Sequence, residues 1–165
     1  MNVIFEVALL VHVLSAIALF GPTFAFPLIG AAGGREPMHG NFAIRLTDLL
    51  ESRLVMVGLV VQPISGFIVI WAAGIDFFAA SSRWLVAAIV LYAIAAAVAI
   101  FIQTPTVRRM AEMSAHAPAP AAPGSAPAGP PPALMTLVRK SQRTGMILGA
   151  LLVVIIALMV VKPGV

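Results

Sequence analysis

Four runs of apolar residues dominate the chain: 3–30, 54–74, 84–104 and 144–161. Each has the roughly 20 residues that a helix needs to cross about 30 Å of hydrocarbon. None shows the alternation, over about 10 positions, that marks a barrel strand. The pattern predicts an all-α fold, a polytopic bundle of four transmembrane helices forming one domain over 1–165. The first run carries Glu6, lacks a basic start and outlasts a signal-peptide core, so it reads as a span.

The connecting segments differ in kind. Within 33–53, Phe42, Leu46, Leu49 and Leu50 recur at helical spacing while Arg45, Asp48 and Ser52 fall on other faces. That pattern predicts a short interfacial helix capped by Asn41; a solvated connection is the alternative. In contrast, 114–133 reads SAHAPAPAAPGSAPAGPPPA, with seven prolines and nothing to form a core. It predicts a disordered, partly polyproline-II linker.

Composition confirms the class. Hydrophobic residues make up 61% and charged residues 10% of the chain, and mean hydropathy is +1.07, against about 25% charged residues in soluble domains. The pI of 10.8 does not imply nucleic acid, because the basic residues are too dispersed to track phosphates. They report topology instead. Arg35, Arg45 and Arg53 follow the first span, and Arg108, Arg109, Arg139, Lys140 and Arg143 lie between the third and fourth, leaving Arg83 and Lys162 on the opposite side. By the positive-inside rule the two basic segments are cytoplasmic and both termini lie outside, in a bacterial inner membrane. Trp71, Phe77, Phe78 and Trp84 would then mark the outer interface. The absence of Cys excludes disulfides and thiolate metal sites.

Against this background the polar residues inside the spans stand out. His12 shares a helix face with Ala8, Ser15 and Ala16, and Gln62 and Ser65 share one with Gly58 and Gly66. Pro63 removes a backbone donor and leaves the Leu59 carbonyl short of a partner. Tyr92 lies at about the depth of His12, some 12 Å below the outer end of its helix. Gln103 sits near the cytoplasmic end, and Gly145 and Gly149 suit close helix packing.

Two readings of His12 follow. With Ser15, Gln62 and Tyr92 it could line a cofactor pocket, ligating haem iron as a metal ligand or relaying a proton. Alternatively, it makes an interhelical hydrogen bond worth roughly 0.6 to 2 kcal/mol. A second metal candidate, Met110, Met113 and His116, lacks thiolate support.

The stretches HVLSAIALFGP, VVQPISG and WLVAAIVLYAIAAAVAIFIQ, the last followed by RRM, resemble the bacterial integral membrane family called domain of unknown function 2269, over about the first 113 residues. Members often carry an Asp-Trp pair before the second motif, where this chain reads TDLLESRLVMVG. The first helix is also similar to those of the four-helix membrane protoporphyrinogen oxidases and the copper-resistance D-type proteins. Of these, the oxidases imply haem binding at a helix-one His resembling His12. The basic residues that would meet porphyrin carboxylates are missing from the third span, which argues against porphyrin oxidation. Three functions therefore stand as expectations. The chain binds haem or another apolar cofactor for electron transfer or sensing; or it is a non-catalytic subunit or scaffold engaging a protein partner or a second copy; or it transports a small solute or metal. No nucleophile and base pair supports an enzyme.

Overall fold

The computed structural model describes residues 3–77, 79–115 and 131–163. Four helices run through it: α1 (Val3–Arg35), α2 (Gly40–Ala73), α3 (Arg83–Ala115) and α4 (Pro132–Val161). Each is long and apolar enough to cross a membrane, and no strand occurs among the described residues. The all-α four-helix membrane architecture expected from the apolar runs is therefore present.

The helices are longer than the runs. With 33, 34, 33 and 30 residues they measure about 45 to 50 Å, against about 30 Å of hydrocarbon. The excess lies at the arginine-rich end. Residues 40–50, read from sequence as a short interfacial helix running into the second span, are helical and continue directly into it. They remain helical because Ala43, Leu46 and Leu50 face inward, where α2 packs between the ends of α1 and α3. The described ends of 114–133 are also helical, since α3 extends to Ala115 and α4 begins at Pro132, a residue tolerated in a first helical turn. Residues 116–130, most of the segment read as a linker, lie outside the described residues, as does His116.

Local deviations follow from the prolines. Pro22 and Pro27 each remove an amide donor, and Gly21–Ala25, which contains Pro22 and ends just before Pro27, tightens to a 3₁₀ turn in which the Thr23 hydroxyl donates to the Phe20 carbonyl at 2.6 Å. In α3, Pro105 cannot bond the Phe101 carbonyl, and the preceding turn, Ala99–Gln103, widens to a π-helix. A second π turn occupies Glu51–Val55 of α2, without a proline.

Packing divides by depth. In the half away from the arginines, α1 lies against α2 and α3 against α4, with few close backbone approaches between the two pairs. Gly58 admits this contact: a Cβ there would stand 2.9 Å from the Phe20 ring. At the arginine-rich end the four helices pack in sequence, α1 to α2 to α3 to α4. Buried side chains collect at two levels: Trp84, Leu85 (2% exposed) and Ala88 (1%) near the start of α3, and Val107 (1%), Ser114 (2%) and Thr106 (3%), with Met110 and Leu134, at the arginine-rich end. Around Gly145 and Gly149, expected to mediate close packing, the space within 4 Å of an added Cβ is empty.

Candidate functional site

The polar faces of α1 and α2 meet as their spacing suggested. His12, one turn before Ser15, stands opposite Gln62 and Ser65, one turn apart on α2. The Ser65 hydroxyl donates to the Gln62 carbonyl at 3.1 Å, so its oxygen is left to accept from His12 Nδ1–H at 2.8 Å. The Gln62 amide nitrogen stands almost equally near both ring nitrogens, 3.1 Å from Nε2 and 3.2 Å from Nδ1; with the proton on Nδ1, Nε2 is the one that can accept from it. That amide also reaches the His12 carbonyl at 3.3 Å, while the Ser15 hydroxyl lies 2.9 Å from Gln62 Oε1 and 2.8 Å from the His12 carbonyl. The network is complete for the Nδ1–H tautomer.

Gly66 fits the imidazole against α2, since a Cβ at this position would approach His12 Cε1 to 3.1 Å. Beside the network, α1 and α2 form an open groove of about 410 Å³ lined by apolar side chains, including Val7, Val11 and Ile68. Ser65 contributes the polar point of its wall, and His12 does not line it.

Tyr92 stands apart from this network. Its hydroxyl donates at 2.9 Å to the Leu59 carbonyl, the acceptor that Pro63 leaves unpaired. Of the four residues proposed from sequence, the structure thus joins His12, Ser15 and Gln62 and assigns Tyr92 to a different bond. Gln103 is buried and donates to Ser141 of α4 at 3.0 Å. No group of three or more His, Cys, Asp or Glu side chains capable of holding a metal occurs among the described residues.

Chemically, the His12 arrangement ties α1 to α2. For the imidazole to ligate a metal or accept a proton through Nε2, it must first release Gln62.

A second polar centre lies about three turns from Gln62 toward the arginine-rich end. Glu51 is only 3% exposed, accepts from the Thr104 hydroxyl at 3.0 Å, and lies within range of the Gln103 side chain. The sequence contained half of the signal. Glu51, Val55, Gly58, Gln62 and Ser65 fall on one face of an uninterrupted helix, the face that α1 covers. The π turn swings Glu51 by about 100° toward α3 instead.

A chain of four apolar helices with its intramembrane polar groups bonded to one another is an integral membrane protein. It belongs to the family described as predicted integral membrane protein DUF2269, whose pattern matches residues 6–163. The match takes in the fourth helix, beyond the motifs that suggested the family. No curated protein and no solved structure matches the chain.

Proposed function

We propose that this protein is a non-catalytic membrane subunit or scaffold that engages a protein partner through the arginine-rich ends of its helices. In this reading it sits in a bacterial inner membrane with that end in the cytoplasm. The observation that carries the reading is that the helices continue, packed against one another, beyond the length a bilayer needs. Val107, Met110, Thr106, Ser114 and Leu134 are buried at the arginine-rich end, in helical extensions that lipid alone does not require. An ordered surface held at a fixed distance from the bilayer suits docking.

Haem or another metal-bound cofactor at His12 has less support, because Ser65 and Gln62 engage both ring nitrogens. Transport along His12, Gln62 and Tyr92 is weakened in the same way by the commitment of Tyr92 to Leu59.

Photo-crosslinking in intact cells, combined with an absorption spectrum of the purified protein, tests the reading. A photoreactive residue at exposed Arg109 or Lys140 should trap the same protein from either position, and one at lipid-facing Val60 should trap none. The spectrum should show no haem band in wild type or in His12→Ala. A Soret band lost in His12→Ala, without specific crosslinks, would replace the scaffold reading with the haem one.

A further inference from the structure

Two π turns face each other across α2 and α3, at Glu51–Val55 and Ala99–Gln103. Wide turns of this kind are uncommon and recur at functional sites. Between them lie Glu51, 3% exposed, and Gln103, 6% exposed. Thr104, directly after the second turn, holds Glu51 Oε1, and Gln103 Nε2 donates to Ser141 on α4. Two buried oxygens are left over, Glu51 Oε2 and Gln103 Oε1, with no hydrogen-bond partner among the described residues. Both are acceptors, and burying an acceptor unpaired is costly.

One hydrogen atom resolves both. We propose that Glu51 is a proton-binding site, and that its proton sets the direction of a hydrogen-bond chain running from Glu51 through Gln103 to Ser141. With the proton on Oε2, the carboxyl donates to Gln103 Oε1, and Gln103 Nε2 donates to Ser141 Oγ. Without it, the Gln103 amide turns over. Its N–H then donates to the carboxylate, and the Ser141 hydroxyl donates back to the amide oxygen. The step consumes or releases one proton and no electrons, and it links α2, α3 and α4.

The surrounding charges leave the site to the proton. Asp48 on the same helix and Arg108 on α3 are the charged groups that act on Glu51. On α4, Arg139, Lys140 and Arg143 are exposed. The part of α1 that approaches this turn, near Leu19 and Phe20, has no titratable side chain. A single carboxylate with one amide oxygen is also a poor cage for a divalent cation, which takes six or more oxygens.

Infrared difference spectroscopy of the full chain in lipid nanodiscs, titrated from about pH 9 to about pH 4, the range in which carboxyls in proteins take up protons, tests the proposal. The chain has only six Asp and Glu residues, so individual bands can be assigned. Wild type should develop a carboxylic C=O band that is missing in Glu51→Gln. In Gln103→Leu that band should remain but move to higher frequency, because the acid loses its acceptor; this result stands even if Glu51→Gln folds poorly. Identical pH difference spectra in wild type and Glu51→Gln, a band unmoved in Gln103→Leu, or carboxylate bands that respond to added sodium or calcium and not to pH would overturn it.

Discussion

Tyr92 donates its hydroxyl proton, over 2.9 Å, to the Leu59 carbonyl, the acceptor stripped of its helical partner by Pro63. The bond joins the α1–α2 pair to the α3–α4 pair in the half of the membrane where those pairs otherwise make few close approaches. A proline that weakens one helix thus supplies the acceptor that fastens it to another.

Removing the hydroxyl tests this pairing. Tyr92→Phe should lower stability by about 1 kcal/mol, the scale of an interhelical bond in lipid. Pro63→Ala restores an amide to Leu59, so in that background Tyr92→Phe should cost little. Equal losses in both backgrounds, measured by unfolding in mixed micelles, would show that the hydroxyl acts elsewhere.

The fit of Gly66 to His12 makes a second, separable prediction. Gly66→Ala places a methyl 3.1 Å from His12 Cε1 and should destabilise by about 1 to 3 kcal/mol through overpacking. His12→Ala removes the ring that the methyl meets. The double variant should therefore be less destabilised than the sum of the two single changes, and strict additivity would argue against contact.

At the arginine-rich end the packing is that of a protein interior. Val107→Ala, at a position 1% exposed, should cost about 1 to 2 kcal/mol, whereas Val60→Ala, at 59% exposed, should change stability by less than about 0.5 kcal/mol. Thermal unfolding in one detergent compares them directly.

Orientation can be read with reporters. Fusions after Val161 should be active with an enzyme that works only outside the cytoplasm, and fusions in 116–130 with one that works only inside it. The reverse pattern would invert the arrangement and place the arginines outside.

How far the sequence carries depends on which physical rule is in force. The four helices were legible because lipid demands continuous apolar runs, and the meeting of His12, Ser15 and Gln62 because helical spacing fixes a face. The same spacing put Tyr92 near His12 in depth. Depth does not choose between two acceptors, and the structure gave the hydroxyl to Leu59. The extension of α2 beyond the membrane was legible in the spacing of Leu46 and Leu50, but that of α3 and α4 was hidden, because Met110 and Leu134 find their apolar neighbours only once the chain is folded. Glu51 was obscured for another reason: its bond to Thr104 on α3 depends on a change of helical pitch that no residue type announces at 51–55.

That change of pitch also bears on how the chain tolerates altered length. A π turn holds one residue more than the α-helical turn it replaces. Removing one residue from 52–55 would let the turn close to regular α-helix while the faces before and after it stay aligned, so Gln62 and Ser65 would still meet His12. The same loss at 57–60 would rotate one part of α2 against the other by about 100° and separate the partners. The two wide turns are thus the positions within the long helices where a relative could be a residue shorter and keep the same architecture.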